Sequence, residues 1–180
     1  WARLVPMPCA MGDIILTHWQ SGSGMQRAIV VGGDEKEPVV RYLDLDYDNP
    51  AGVGKKDDKC KVNTFHKIIK EFEPGTSIAV KEGSSYAHYR IICEESGKIL
   101  ALGFAGRIKT FNKKDCIPIP INYFPKKGDK VFALNFMSSF TAGKVVDVDK
   151  KIGRIFVEIE WAGKKQISPA AVGQVIKSLP

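Results

Sequence analysis

Two segments of this chain repeat the same order of strand-like and turn-like residues, and this internal repeat constrains the fold most. Residues 74–81 read P-G-T-S-I-A-V-K and residues 127–134 read K-G-D-K-V-F-A-L, so that Gly75 and Gly128 lie 53 residues apart. Each segment also contains an aromatic residue followed by Ala, Gly and a basic residue, at 104–107 and at 161–164. Self-similarity of this length indicates copies of one small folding unit.

The residues within each copy follow the pattern of antiparallel β-strands. Short runs rich in Val, Ile, Phe and Tyr are separated by Gly, Asp, Lys and Ser, and residues 154–160 alternate in polarity as R-I-F-V-E-I-E. In the tail, Ser168 before Pro169 instead predicts a helix of one or two turns. The remaining pattern predicts strands at 14–16, 28–31, 39–45, 77–80, 89–93, 99–102, 130–134, 144–147 and 155–159.

A fainter copy precedes these two. The residues G-D-I-I-L at 12–16 match the opening of the later copies, and a charged insertion at 46–59 is predicted to be a loop. The sequence therefore predicts three units, at 1–70, 71–121 and 122–180. A unit of about 50–60 residues barely buries a core of its own, so we expect the three to pack together.

The third copy carries the clearest family pattern, with G-D-K-V-F-A at 128–133, F-T-A-G-K-V at 140–145 and F-V-E-I-E-W-A-G at 156–163. These strands resemble the SH3-like small barrels, and most closely their Tudor and agenet branch. The resemblance implies an all-β fold of three tandem SH3-like, Tudor-like barrels of five strands each. It also implies a non-enzymatic binding or scaffold role, although fold alone does not establish function.

Tudor domains hold methylated Lys or Arg in cages of aromatic side chains, through cation–π attraction. Asn135 stands where the family usually has an aromatic residue, and no copy presents a complete cage. We predict recognition of a protein or peptide through the barrel loops, the alternative being that the aromatic residues pack in the cores. The candidate residues are Trp19 and Tyr42 in the first copy, Tyr86, Tyr89 and Phe104 in the second, and Phe136, Phe140 and Trp161 in the third.

The positive charge suggests a second function. The chain has 27 basic and 20 acidic residues, for a net charge of +7. If the copies stack in similar orientations, basic residues after each third strand form a stripe that binds RNA or DNA without sequence preference. The alternative is that these lysines protect exposed strand edges from aggregation. The residues concerned are Lys55, Lys56, Arg107, Lys109, Lys164 and Lys165.

No pattern in the sequence indicates catalysis. His18, His66 and His88 lie at no metal-ligand spacing from one another or from a Cys, and the four cysteines form no C-x-x-C. We expect no catalytic residue, no metal site and no cofactor. The longest apolar runs fall far short of the roughly 20 residues of a membrane span.

The start of the chain suggests a third function. The first residue is Trp1 rather than Met, which we interpret as the start of a segment from a longer gene product. A module exported to bind the cell envelope is therefore a further alternative to protein or nucleic-acid recognition.

Overall fold

The computed structural model describes residues 8–18, 25–44 and 59–180. The chain divides into two compact units, one comprising Trp1–Ile69 with Lys151–Gly153 and the other Lys70–Lys150 with Arg154–Pro180. The described residues form antiparallel strands and two short 3₁₀ helices, with no α-helix among them. The all-β prediction is confirmed. No helix in these ranges has the length and apolar character needed to cross a membrane.

The first unit contains one five-stranded sheet, in the order β4-β3-β2-β1-β5. Alternate residues of its strands, among them Ile15, Val30 and Val40, point into a common hydrophobic core. The predicted loop at 46–59 lies outside the described residues except for its last residue, which begins β4. The strands are β1 (Ile14–His18), β2 (Met25–Gly33), β3 (Pro38–Tyr42), β4 (Lys59–Lys61) and β5 (Phe65–Lys67).

A buried ion pair joins β2 to the residues after β3. The Arg27 Nε and Nη2 atoms each donate to a carboxylate oxygen of Asp44 at 2.8 Å. The two side chains are only 2% and 7% exposed. Because removing one partner would leave a buried charge unpaired, the pair fixes the position of Asp44 strongly.

The second unit contains one nine-stranded sheet, whose main path runs β10-β6-β7-β12-β13-β14. Strand β8 pairs with β7 and β9, and β11 pairs with β12. The 3₁₀ helices span Phe104–Gly106 and Lys113–Asp115. The strands are β6 (Ser77–Glu82), β7 (Ser85–Glu95), β8 (Lys98–Leu102), β9 (Ile108–Asn112), β10 (Cys116–Pro118), β11 (Lys130–Leu134), β12 (Ser139–Asp149), β13 (Arg154–Trp161) and β14 (Lys164–Ala171).

We refer to residues 71–121 as the second segment and to residues 122–180 as the third segment. Strands β7 and β12 pair through Ala87 with Ser139 and Tyr86 with Phe140, which makes the two segments parts of one sheet. Each segment has its own core, around Ile78, Ile91 and Ile99 in the second, and around Val131, Val157 and Ile159 in the third. The pairings between described strands do not close either sheet of the protein into a barrel.

The same backbone hydrogen bonds recur three times along the chain. Gly12, Gly75 and Gly128 all have φ near +90°, a conformation that favours glycine. Each donates its N–H at 2.8 Å to a residue of the following long strand, whose own N–H bonds back to the residue after the glycine at 2.9 Å. A bulge follows in every case, and it bends the strand. The acceptors are Val30, Ile91 and Val145, and the bulges lie at 30/32, 91/93 and 145/147.

The helix predicted in the tail is wrong, because β14 continues through it. The Ser168 hydroxyl donates to the Leu134 carbonyl at 3.1 Å rather than capping a helix. Pro169 lies opposite Phe156 in β13. Strand β14 ends the main path of the sheet, and an edge strand tolerates a proline that cannot donate a ladder hydrogen bond.

Candidate functional site

An aromatic pair lies at one end of the third segment. Phe136 belongs to the loop between β11 and β12, and Trp161 is the last residue of β13. Their ring centroids are 5.9 Å apart and the planes meet at 65°, an edge-to-face contact. Both rings are half-buried, and the neighbouring Met137 is 53% exposed. We call Phe136, Met137, Trp161 and Lys164 the aromatic end.

The side chain of Asn135 holds the loop that carries Phe136. Its Oδ1 accepts hydrogen bonds from the backbone N–H groups of Met137 at 2.9 Å and Ser139 at 3.1 Å. The Asn135 N–H donates to the Ser139 carbonyl at 2.9 Å, and Ser138 takes a positive φ of 55°. An asparagine that bonds to backbone groups just after it is a common way of stabilising a tight loop. Asn135 therefore positions Phe136.

The alternation of inward and outward side chains along β13 determines the direction in which Trp161 points. Ile155, Val157 and Ile159 are buried on the core face, and Trp161 continues their row at the end of the strand. Ala162 and Gly163 then connect β13 to β14 with positive φ values of 51° and 75°. Two residues with positive φ are the requirement of a type I′ hairpin turn.

One basic residue adjoins the aromatic pair. The type I′ turn sets Lys164 directly opposite Trp161 in the β13–β14 pairing. Lys165 follows and is 81% exposed, with its Nζ 3.9 Å from a carboxylate oxygen of Glu158. The third segment has ten basic and five acidic residues, so it carries +5 of the net charge of +7.

The corresponding end of the second segment is filled by its own side chains. Here β6 and β7 are joined by only two residues, Gly83 and Ser84. The Tyr89 hydroxyl donates to Glu82, and the Lys109 Nζ lies 3.2 Å from the same carboxylate oxygen. We call Glu82, Tyr89 and Lys109 the Glu82 cluster.

The hydrogen bonds of the Glu82 cluster shift the pKa of each member. The bond from the Tyr89 hydroxyl, followed by that from Lys109, lowers the pKa of Glu82. Burial, and then the Glu82 carboxylate, raise the pKa of Tyr89. The bond to Glu82 raises the pKa of Lys109. The cluster is therefore an ionised carboxylate held by two donors at neutral pH.

Three of the predicted aromatic residues are buried in the structure. Tyr42 donates its hydroxyl to the His18 carbonyl at 2.8 Å within the first core. Tyr89 is 2% exposed and packs edge-to-face on Phe111. Phe140 is 6% exposed, with its ring centroid 6.0 Å from that of His88. These three rings contribute to the cores.

The remaining predicted aromatic residues lie in different surroundings. Tyr86 is half-buried in β7, and its hydroxyl donates to the Pro180 carbonyl at 2.8 Å. Phe104 is 49% exposed at the turn after β8. Trp19 lies outside the described residues. Of the eight predicted aromatic residues, the structure thus brings Phe136 and Trp161 together at a partly exposed position.

The predicted basic residues are divided among different places. Lys55 and Lys56 lie outside the described residues. Arg107 is exposed at the turn after β8, and Lys109 is paired with Glu82. Lys164 and Lys165 are exposed beside Trp161 and belong to the third segment. Lys164 is therefore the predicted basic residue that lies next to the aromatic pair.

A shallow groove in the second segment has the buried Cys116 at its wall, beside Phe72 and Lys113. Burial raises the pKa of the Cys116 thiol to about 11, so it stays protonated at neutral pH. A protonated thiol is a poor nucleophile. Within the ranges the structure describes, no three His, Cys, Asp or Glu side chains are grouped to hold a metal ion.

Sequence reasoning did not identify Asn135, Met137 or Glu82 as contributors to these two ends. The run from Asn135 to Ser139, with an asparagine followed by two serines, is a turn signal that could have revealed the loop carrying Phe136. No local signal reveals Glu82, because its partner Lys109 lies 27 residues away.

Comparison with known proteins gives no assignment: no family model matches the chain, and no curated protein shows significant similarity to it. Its function must therefore be argued from the geometry of the aromatic end.

Proposed function

We propose that this chain is a non-enzymatic binding module that recognises a protein or peptide through the aromatic end. The observation that carries the proposal is the edge-to-face pair of Phe136 and Trp161, which lies at the edge of the third segment beside the exposed Met137. We further propose that the module consists of three tandem SH3-like, Tudor-like segments.

The recurring backbone pattern supports the three-segment proposal. The same glycine conformation, the same pair of hydrogen bonds and the same bulge begin each segment. The strand order β4-β3-β2-β1-β5 of the first unit also recurs as β9-β8-β7-β6-β10 in the second segment. In the third segment Ile176 takes the place of the fifth strand, through its bridge to Phe132.

The position of the aromatic pair supports a role in recognition. The core of the third segment is formed by Val131, Val157, Ile159 and their neighbours. The aromatic pair lies past Ile159 at the end of β13, where both rings are half-buried. Aromatic residues and Met are enriched where proteins bind one another, since they bury large apolar areas. The well-defined loop around Asn135 keeps the surface ordered before a partner arrives, which lowers the entropic cost of binding.

A site-specific photo-crosslinker tests this proposal. A benzoylphenylalanine residue in place of Met137 should crosslink one partner when the full chain is exposed to an extract of its source cells. The same residue in place of Lys127, an exposed position before β11, is the matched control. The 137-specific crosslink should disappear when Phe136→Ala is added. Equal crosslinking from both positions, or a crosslink that survives Phe136→Ala, contradicts the proposal.

Nucleic-acid binding is a second candidate, which the net charge of +5 in the third segment favours. Lysines that contact phosphates give an affinity that falls steeply with salt, while the aromatic rings would stack on bases. Fluorescence anisotropy with single-stranded RNA and DNA at roughly 50 and 200 mM salt tests this candidate. Binding at the lower salt that is lost with Lys164→Glu and Lys165→Glu favours it, and the absence of binding at both excludes it.

A further inference from the structure

We infer that the aromatic end takes an acidic peptide segment with one apolar anchor side chain, rather than a methylated ammonium group. This inference rests on the proposed function and names the chemistry of its ligand. Three features of the third segment support it: the mutual contact of the two rings, the charge beside them and the exposed methionine.

The rings are arranged against cation binding. A cation is held over the faces of several aromatic rings, which must leave space between them. Phe136 and Trp161 instead contact each other edge to face. Each ring therefore fills space that a cation would need beside the other ring. Phe140, which could supply a third wall, is buried in the sheet, and Asn135 uses its side chain to hold the loop. The two rings therefore form a mutual contact rather than an open cage.

The charge beside the rings favours carboxylates. Lys164 is the cross-strand neighbour of Trp161 and lies on the same face of the hairpin. An ammonium ligand would meet this like charge, whereas a carboxylate next to the anchor would be attracted to it. Lys165 follows on the opposite face, where it pairs with Glu158 and lies across from Glu160. The remaining charge of the third segment is predominantly positive.

Met137 indicates an apolar anchor. Its side chain is 53% exposed and adjoins Phe136 in the same ordered loop. A methionine is flexible and polarizable, so it adapts to aliphatic or aromatic side chains of different shapes. A peptide with one Leu, Phe or Trp flanked by Asp or Glu therefore matches both the aromatic pair with Met137 and the charge of Lys164.

Selection from a random peptide library tests the inference. The full chain is immobilised and screened with phage displaying random twelve-residue peptides, and each pool is then counter-selected on Phe136→Ala. We expect the retained pool to carry one apolar residue with Asp or Glu enriched at its neighbours. The best peptide, made with a fluorescent label, should bind about tenfold more weakly to the Lys164→Glu/Lys165→Glu variant. The variant with Lys126→Glu/Lys127→Glu, whose lysines are exposed before β11, should bind like the parent chain.

The outcomes separate this inference from the proposed function. Peptides that depend on Phe136 but carry Lys or Arg beside the anchor, or whose affinity is unchanged by Lys164→Glu/Lys165→Glu, overturn the acidic ligand and leave peptide recognition standing. Peptides that bind Phe136→Ala as well as the parent chain, or no enrichment at all, overturn both. Tight binding of single-stranded RNA that excludes the selected peptide also overturns the inference.

Discussion

The second and third segments share a strand order, but different kinds of side chain occupy the corresponding end of each. In the second segment the Glu82 cluster fills that end with an ion pair and a buried tyrosine hydroxyl. In the third segment the end carries the aromatic pair and an exposed methionine. The connections after the third strands share an alanine and a glycine with positive φ, at 105–106 and at 162–163, although five residues join β8 to β9 and two join β13 to β14.

The difference originates in the loop between the first two strands of each segment. Residues 83–84 make a two-residue connection in the second segment, and neither has a large side chain that could cover the end of the core. Residues 135–138 make a longer loop in the third segment and place Phe136 against Trp161. A small change in loop length between segments of the same strand order thus replaces an internal polar network with a partly exposed aromatic pair.

The largest expected effect is on stability, at one tightly packed glycine within each of the two segments. A Cβ at Gly143 would lie 2.7 Å from the Glu158 backbone oxygen and 2.6 Å from a Val157 methyl group. At Gly103 it would lie 2.5 Å from the Tyr89 ring. We expect Gly143→Ala to lower the free energy of unfolding by about 2–3 kcal/mol, because overpacking against backbone forces strands apart. Gly103→Ala should cost less, since a side chain gives way more easily than a paired backbone, and displacing the Tyr89 ring should strain its hydrogen bond to Glu82.

Urea unfolding of both variants measures this difference. Both should lose stability without a change in the slope of the transition, which reports the surface exposed on unfolding. A Gly143→Ala variant as stable as the parent chain would contradict the close packing of β12 on β13.

The next largest effect is on peptide affinity, and this prediction compares aromatic residues at equivalent positions of the two segments. Trp161 and Phe104 occupy the same place in the aromatic-Ala-Gly-basic motif. Phe136→Ala should weaken the selected peptide by about 30-fold, the loss typical of a central interface residue worth about 2 kcal/mol. Trp161→Ala should do the same, whereas Phe104→Ala should leave the affinity unchanged. Isothermal titration of the three variants checks this, and an equal loss for Phe104→Ala would show that the two ends are not distinct.

A substitution in the Glu82 cluster should lower stability without changing peptide affinity. Tyr89→Phe removes a buried hydroxyl that donates to Glu82, and we expect a loss of about 1 kcal/mol. Peptide binding at the aromatic end should stay as in the parent chain, because the cluster belongs to the other segment. Thermal unfolding together with the anisotropy titration distinguishes these outcomes. Weaker peptide binding by Tyr89→Phe would indicate that the two ends are coupled.

Much of the strand arrangement follows from the sequence, because alternation and turn residues are local signals. The run at 130–134 is a strand with the predicted limits, and Gly75 and Gly128 mark equivalent turns as the repeat predicts. The tail was predicted wrongly because Ser168 and Pro169 are compatible with a helix start. Their actual environment depends on Leu134, which lies 34 residues away from Ser168.

The site was less predictable, because aromatic residues in strands and loops look alike in sequence whether they are buried or exposed. Tyr42 and Phe140 were candidates by position, but their side chains pack inward. Phe136 and Trp161 were candidates on the same grounds, and their contact depends on the loop that Asn135 stabilises. The ion pair of Arg27 with Asp44 likewise joins residues that no local pattern connects.

The pH dependence of stability should differ between the parent chain and Glu82→Gln. The folded chain lowers the pKa of Glu82 below its ordinary value of 4.5, mainly through the Tyr89 hydroxyl. The stabilisation by this carboxylate is therefore complete above pH 4.5 and is lost as the pH falls through the folded pKa. Because the side chain is partly exposed, we expect less than about 1 kcal/mol. The melting temperature should fall further between pH 6 and pH 3 for the parent chain than for Glu82→Gln. Equal falls would contradict the ionised cluster.

The smallest effect concerns the turn that the two segments have in common. Ala105 and Ala162 have φ values of 58° and 51°, which cost energy for an alanine, and a glycine follows each. Asn-Gly is the preferred pair for a type I′ turn, since asparagine tolerates this conformation. We expect Ala105→Asn and Ala162→Asn each to raise the free energy of unfolding by about 0.5 kcal/mol, a fraction of the cost of left-handed backbone for other residues. Equal gains measured by urea unfolding would show that the two segments share this turn and differ in the loop opposite it. A gain at one position alone would place part of the difference between the two ends in the turn itself.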